Sequence, residues 1–293
     1  MTTKGGNRVR SIWWVVSIAL LCAAMYTIWN RRDDITKAID SIEHPNPTTL
    51  FLLVITMILS QGFVSESLRQ LLNRCGIANE GKSPIKKTEM FWLVMVSGML
   101  NWLPIRAGLI GRTLYHSKVN GISPAKSLRV LAESVVIIVG MSGVALLMVV
   151  ASDTFSLNII YFVCAPILVS SVFVIRQSTR RWSLAISCRY FDVLLSAARY
   201  WLIFDLMRFG ITPETAILLA GAGSIASLLP LPTGGLGGRE WIIGLVASWV
   251  TVFPSAIVLG LVADLVNRAV ELVVMIPLGL TGQHFLRKKL PRG

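Results

Sequence analysis

The chain alternates between long apolar stretches and short loops that are rich in basic residues. An α-helix of about 20 residues spans a hydrocarbon core of roughly 30 Å, and six apolar stretches can be drawn as full crossings of this kind. The six stretches are residues 11–29, 48–62, 130–152, 156–175, 184–209 and 254–280. The pattern therefore predicts an all-α, polytopic membrane protein with about six full transmembrane helices.

Two further apolar stretches are interrupted and do not fit a full crossing. Residues 90–103 end at Pro104, and basic loops flank them on both sides, which favours the cytoplasm for both ends. Residues 215–229 run into a Pro- and Gly-rich string, and the chain becomes apolar again at 241–252. We predict two re-entrant segments, one from each side of the membrane. Broken helices at membrane depth are tolerated where they line a cavity, so these segments mark a candidate substrate path.

The order of the segments predicts an inverted repeat within a single transmembrane domain. Residues 1–152 and residues 153–293 each contain two crossings, an interrupted segment and a final crossing. Three crossings per half require the second half to be inverted relative to the first. The strings at 103–112 and 229–239 also align with one inserted residue. Two pairs of positions become equivalent under this repeat: Arg112 with Arg239, and Glu133 with Asp264.

The charge of the chain is strongly positive, with 28 Lys and Arg against 15 Asp and Glu and a net charge of +13. These basic residues lie mainly in short loops between apolar stretches, where they orient a chain against a membrane, so no nucleic-acid partner is expected. Basic loops precede the first crossing, follow the second and fourth crossings, and end the chain. This distribution predicts that both termini are cytoplasmic.

No pattern typical of catalysis or metal binding occurs. The 4 Cys and 3 His are dispersed, and there is no HExxH or GxSxG string. We therefore expect no enzymatic activity, no cofactor and no metal site.

Ionisable residues within the crossings are candidates for function, because each costs a few kcal/mol or more at the centre of a bilayer. There are two sets of polar residues, and helical spacing places the members of each set on one face of a crossing. In the last crossing they are Asp264, Asn267, Arg268 and Glu271, and in the fifth they are Arg189, Asp192, Ser196 and Arg199. The alternative is internal salt bridging that only holds the helices together.

The interrupted segments carry residues suited to anion binding. Glycines allow backbone amides to approach an anion, and a helix that follows adds its positive end. Gly234, Gly235, Gly237 and Gly238 precede Arg239 in this way, although a tight turn without a ligand would have the same composition. In the first segment, Arg106 and Arg112 could bind phosphate through planar guanidinium groups or could only set the topology.

These strings resemble the flippase-like transmembrane domain found in lysylphosphatidylglycerol synthases and in stand-alone membrane proteins. Two motifs, N-x-x-P-x-R-x-G-x-x-x-R and P-x-G-G-x-G-x-x-E, and an arginine in the last helix carry the resemblance. The matching residues are Asn101, Pro104, Arg106, Gly108 and Arg112, then Pro232, Gly234, Gly235, Gly237 and Glu240, and finally Arg268. The resemblance covers nearly the whole chain. At residue 134, after Glu133, Ser stands where the family tends to have Arg.

The resemblance implies flipping of an anionic lipid or polyprenyl-phosphate-linked sugar across a bacterial cytoplasmic membrane, by alternating access at a midplane site. A membrane lipid or lipid-linked glycan would be the ligand, and a glycosyltransferase or lipid synthase a possible partner. Predicted substrate-binding residues are Arg106, Arg112, Gly234, Gly235, Gly237, Gly238, Arg239 and Arg268. Predicted structural or coupling residues are Asn101, Pro104, Glu133, Asp192, Arg199, Glu240, Asp264, Asn267 and Glu271.

Two alternatives fit the same sequence. A secondary transporter for a small soluble anion would need the same broken helices and cationic groups. A non-transporting scaffold for a glycosyltransferase or lipid synthase would use the charged residues only for packing.

Overall fold

The computed structural model describes residues 46–77, 84–102, 107–155, 179–228, 238–253 and 255–289, the backbone alone for 152–155, and a few single helical positions elsewhere. Within these ranges the chain forms eight α-helices and one π-helical turn and contains no β-strand. The predicted all-α class is confirmed.

The helices follow the apolar stretches and extend beyond most of them. In chain order they are α1 Pro47–Leu72, α2 Lys87–Asn101, α3 Ala107–Val119, α4 Pro124–Phe155, α5 Arg180–Leu206, α6 Pro213–Ala226, α7 Gly238–Val250 and α8 Ala256–Arg287. A π-helical turn, Asn73–Ile77, continues α1. Side-chain caps begin two of them: Asn46 Oδ1 accepts a hydrogen bond from Thr48 N, at 3.0 Å, and Thr212 Oγ1 accepts one from Thr215 N, at 3.3 Å.

Four of the six predicted crossings overlap described helices, two of them completely. The stretches at 48–62 and 130–152 belong to α1 and α4, and the segments Pro47–Cys75 and Pro124–Ala151 are long and apolar enough to cross a membrane. The stretches at 184–209 and 254–280 belong to α5 and α8, which have 27 and 32 residues. The stretches at 11–29 and 156–175 lie outside the described residues except for single positions. The arrangement of six crossings stays a prediction.

Both interrupted stretches form pairs of short helices that double back. Near the end of α3, the Tyr115 hydroxyl donates a hydrogen bond to Glu89 Oε1 near the start of α2, at 3.3 Å. In the other pair, Gly223 of α6 lies against Ile243 and Arg239 of α7. The connections at 103–106 and 229–237 lie outside the described residues. We call the two pairs the α2–α3 hairpin and the α6–α7 hairpin.

Helices α1 and α5 pack side by side in opposite directions at the centre of the molecule. Ser67 Oγ donates to the carbonyl of Ala185 at 2.9 Å, and further along, Arg199 donates to the carbonyl of Thr56 at 3.2 Å. Residue numbers rise along one helix as they fall along the other, so the pair is antiparallel. Tyr200, Ile203 and Phe204 of α5 are almost fully buried in the adjoining core.

Helix α8 packs closely against both hairpins because small residues occupy the crossings. A Cβ on Gly279 would lie 2.8 Å from Met99 Cβ of α2, and a Cβ on Gly260 would lie 2.8 Å from Gly244 Cα of α7. Such residues let helix backbones approach where larger side chains would separate them.

One end of the bundle gathers most of the basic residues in the described part of the chain. Lys289 at the end of α8 pairs with Glu89 near the start of α2, and Arg181 at the start of α5 donates to the carbonyl of Asn73. We call this the basic end. Its cations are Arg69, Arg74, Lys86, Lys87, Lys118, Lys126, Arg129, Arg180, Arg181, Arg287, Lys288 and Lys289.

Candidate functional site

A network of buried charges joins α5, α7 and α8. Asp264 of α8 has no solvent exposure. Its Oδ1 atom lies 2.9 Å from Arg239 Nη2 and accepts a hydrogen bond from the Tyr200 hydroxyl at 2.6 Å. Its Oδ2 atom lies 3.7 Å from Arg268 Nε. A buried carboxylate needs such partners, because desolvation of an unpaired charge costs several kcal/mol.

Arg268 connects this network to the α2–α3 hairpin. Its Nε atom lies 2.9 Å from Oε1 of Glu240, which is also buried. Its guanidinium group stands over the ring of Trp102, 5.5 Å from the ring centroid, just beyond the end of α2. One side chain on α8 therefore contacts groups from both hairpins.

Arg199 extends the network toward α1. Its Nε atom donates to Asn267 Oδ1 at 3.2 Å, and its Nη2 atom donates to Ser196 Oγ at 2.9 Å. Asn267 lies on the polar face of α8 with Asp264 and Arg268, as the helical spacing predicts.

A cavity of about 250 Å³ lies beside these charges, where the tips of the two hairpins meet. We call it the central cavity. Its polar lining comes from Asn101 at the end of α2, Ser227 after α6, and Arg239, Arg268 and Glu271. A water molecule occupies about 30 Å³ in the liquid, so the space is large enough for a group the size of a phosphate.

Two polar atoms around the central cavity have no hydrogen-bond partner within the part of the chain that the structure describes. They are Oδ1 of Asn101 and Nε of Arg239, and both are buried. Buried polar atoms in proteins are nearly always paired, so these two atoms mark polar positions where the hairpin tips meet. The predicted roles of these residues in substrate binding stay predictions.

The spacing between Asn101 and Gly108 in the first motif has a structural reason. A Cβ on Gly108 would lie 1.8 Å from the carbonyl oxygen of Ser97 and 2.6 Å from Asn101 Oδ1. Only glycine allows α3 to start this close to α2 and to bring Asn101 to the cavity. Pro104 and Arg106 of the same motif lie outside the described residues.

The second motif leads directly into α7. Gly238 is buried at the start of this helix, Arg239 and Glu240 follow in its first turn, and the helix begins beside the central cavity. The positive end of the helix dipole therefore faces the cavity region. Gly234, Gly235 and Gly237 lie outside the described residues.

Arg112 does not join the other predicted arginine ligands. It lies on α3 and lines a different cavity, of about 200 Å³, between α2, α3 and α8. The structure therefore separates Arg112 from Arg239 and Arg268, which the sequence had grouped as ligands of one site.

Asp192 belongs to a polar group between α1, α4 and α5. It accepts a hydrogen bond from Ser60 and lies 3.4 Å from Arg189 Nη1. Arg189 Nη2 donates to Ser134 Oγ at 2.8 Å. A guanidinium group from α5 therefore reaches Ser134 on α4, next to Glu133.

Glu133 has different surroundings from its proposed equivalent, Asp264. Its carboxylate lies 3.1 Å from Arg129 and 3.7 Å from Arg74, at the basic end and away from the central cavity. The side chain holds α4 to the end of α1. Both carboxylates pair with two arginines, but Glu133 does so at the basic end and Asp264 does so beside the central cavity.

Sequence reasoning missed Tyr200 and Trp102. Tyr200 binds Asp264, and its position next to Arg199 within a charged stretch of α5 is the only signal that could have indicated it. Trp102 gave no signal, because a tryptophan beside a membrane loop is common at interfaces. Compared with the known family models and with the curated proteins, the chain matches none.

Proposed function

We propose that this protein moves a lipid with an anionic headgroup across a membrane. The observation that carries the proposal is the central cavity of about 250 Å³, where two broken helix pairs meet and two arginines line the wall. Secondary transporters place their substrate sites near the bilayer midplane, between discontinuous helices. Lipids with phosphate headgroups, including polyprenyl-phosphate sugars, are the substrates that planar guanidinium groups suit.

The predicted inverted repeat would support an alternating-access mechanism. Helices α1–α4 and α5–α8 form two sets, and α2 packs on α8 as α6 packs on α4. Each main contact between helices has a counterpart when α1, α2, α3 and α4 are replaced by α5, α6, α7 and α8 and the reverse. The contact between α1 and α5 is its own counterpart. Because α1 and α5 are antiparallel, the two halves would be related by an approximate twofold axis in the membrane plane.

The exposed surface favours contact with lipid, and we propose a multi-pass arrangement in a bacterial cytoplasmic membrane. Large apolar side chains on three helices point away from the protein: Phe51 is 63% exposed, Leu147 68% and Val273 66%. Lipid solvates such side chains without the cost that water would impose. The basic end would face the cytoplasm, with both termini there.

Charge balance within the central network suggests how a headgroup is accepted. Arg199, Arg239 and Arg268 face three carboxylates, Glu240, Asp264 and Glu271, of which only Glu271 lines the central cavity. A phosphate in the central cavity would bind Arg239 and Arg268 from the cavity side. Asp264 and Glu240 would keep the two guanidinium groups in position. Protonation of Glu271 would leave one positive charge for the headgroup, which makes Glu271 the proposed coupling residue.

Lipid flipping in proteoliposomes tests the proposal. Fluorescent phosphatidylglycerol that moves between leaflets becomes accessible to a membrane-impermeant quencher, and the protein should accelerate this movement. Arg268→Lys keeps the charge but loses the planar contacts to Glu240 and Trp102, so we expect at least a tenfold slower rate. Arg180→Lys, at an exposed position at the basic end, is the matched control and should flip at the wild-type rate.

The same vesicles distinguish the other two functions. If the protein transports a soluble anion but does not move labelled lipid, its function is that of a secondary carrier and not of a lipid translocator. If the folded protein moves neither the lipid nor an anion, the non-transporting scaffold is the function that remains. Equal flipping rates for Arg268→Lys and Arg180→Lys would remove the central cavity from the mechanism.

A further inference from the structure

The second cavity lies toward the basic end and combines cationic and apolar walls. Its volume is about 200 Å³. Arg112 of α3 and Arg287 of α8 supply its positive charge, and Gln283 adds an amide. Most of the remaining lining is apolar, including Leu93 and Leu100 of α2. We call this space the basic-end cavity.

Arg112 lacks the hydrogen-bond and anionic partners that the other interior arginines have within the described residues; even Arg199, which has no carboxylate partner, donates to Asn267, Ser196 and the Thr56 carbonyl. Arg239 pairs with Asp264, Arg268 with Glu240, and Arg189 with Asp192. Across the residues that the structure describes, Arg112 forms no ion pair and no side-chain hydrogen bond, and the nearby charges of Arg189 and Arg287 are also positive. Arg112 is half-buried against this cavity, and a partly desolvated cation beside a like charge is stabilised when an anion joins it.

Its surroundings contain no spare carboxylate to fill that role. Glu89, at the start of α2, accepts a hydrogen bond from Tyr115, which also lines the cavity. Glu89 is already paired with Lys289. The anion for Arg112 must therefore come from outside the described part of the chain.

We propose that the basic-end cavity binds the phosphate of a lipid headgroup, as a second anion site separate from the central cavity. Arg112 and Arg287 hold the phosphate, and the apolar wall formed with Leu93 and Leu100 accepts the first methylene groups of the acyl chains. The lipid as ligand rests on the proposed function. The two cavities lie on adjacent faces of the α2–α3 hairpin, since Asn101 lines one and Leu100 lines the other. A lipid bound at Arg112 would therefore lie on the other side of the end of α2 from Arg268.

Counting bound lipids on the full-length protein tests the second site. In native mass spectrometry from detergent with added phosphatidylglycerol, the wild type should retain two lipids and Arg112→Gln one. Loss of a charge-assisted contact to phosphate should weaken binding at this site about tenfold. Lys118→Gln removes a cation from an exposed position on the same helix, outside the cavity, and should bind as the wild type does. Unchanged lipid number and affinity in Arg112→Gln would overturn the proposal.

A second variant and a competitor complete the test. Arg287 is exposed at the end of α8, so Arg287→Gln will fold, and it should weaken the same site about threefold. An unchanged affinity in Arg287→Gln counts against the site even if Arg112→Gln does not fold. Inorganic phosphate should displace the lipid only at far higher concentration, because it gains nothing from the apolar wall. Displacement at equal concentration would show a site for soluble phosphate.

The two proposals fail in different ways. If the wild-type protein flips no lipid in vesicles but binds a lipid that Arg112→Gln loses, the proposed translocation is overturned. The proposal of a second lipid site then stands. Protein that flips lipid at the same rate with and without Arg112, and binds the same number of lipids, overturns the second site and leaves the translocator.

Discussion

Asp264 is the residue on which the central network depends. Its two carboxylate oxygens face Arg239, Tyr200 and Arg268, and no other carboxylate in the described chain is as fully enclosed. Ion pairs that are removed from water are expensive to form and more expensive to break, because the remaining charge stays buried. The side chain therefore sets the position of both arginines at the central cavity.

Asp264→Asn should destabilise the protein by about 3 kcal/mol, because Arg239 loses its nearest anion while remaining buried. Thermal unfolding of the detergent-solubilised protein measures the loss. Tyr200→Phe removes one hydrogen bond to the same carboxylate and should cost about 1 kcal/mol.

Asp205→Asn is the matched control for Asp264→Asn, since Asp205 is exposed near the end of α5 and should change stability by less than about 0.5 kcal/mol. If Asp264→Asn and Asp205→Asn unfold at the same temperature, the carboxylate of Asp264 does not anchor the network.

At the scale of elements, the α2–α3 hairpin is built on one close approach between backbones. Gly108 faces the carbonyl of Ser97, and no side chain fits between them. The tip of the hairpin carries Asn101 and Trp102, so the same contact that closes the hairpin also places two residues at the central network. Sequence reasoning gave the break between the helices and the motif, but the contact depends on how the two helices cross.

Gly108→Ala should destabilise the protein by about 1–3 kcal/mol and reduce lipid flipping, because the added methyl group meets backbone that cannot turn aside. Gly111→Ala lies three residues later on α3, where the nearest atom is 3.8 Å from the added carbon. This control should be neutral or slightly stabilising, since alanine favours a helix by up to about 1 kcal/mol over glycine. Equal unfolding temperatures for the two variants would contradict the close approach.

The whole molecule has a charge asymmetry that the individual loops do not reveal. The ends of α1, α3 and α8 meet the starts of α2, α4 and α5 at the basic end, and each loop that reaches this end brings its own Lys or Arg. At the opposite end, the chain after α7 exposes Val252 completely. Membrane insertion favours basic residues on the cytoplasmic side, so this asymmetry predicts the orientation of the whole bundle.

Cysteine labelling in intact cells tests this orientation. In a chain whose native Cys22, Cys75, Cys164 and Cys188 are replaced by Ala, Val252→Cys should react with a membrane-impermeant maleimide from outside. Lys288→Cys, at the basic end, should react only after the membrane is permeabilised. Labelling of Lys288→Cys in intact cells, with Val252→Cys protected, would invert the topology.

The sequence by itself determined the elements and the kinds of residue that form the central network. Helical spacing placed Asp264, Asn267 and Arg268 on one face, and Pro and Gly marked both hairpins, because these signals are local to one segment of chain. The order of crossings and breaks also predicts an inverted repeat, which stays a prediction.

Only the tertiary structure decided which of these residues meet. Arg239 and Arg268 came together around Asp264, with Tyr200 and Trp102 added, whereas Arg112 was placed in a separate cavity and Glu133 at the basic end. The antiparallel packing of α1 on α5, and the glycine contacts of α8, set these distances. Contacts between helices far apart in the chain depend on side-chain volumes at each crossing, and no local pattern of apolar and polar residues encodes them.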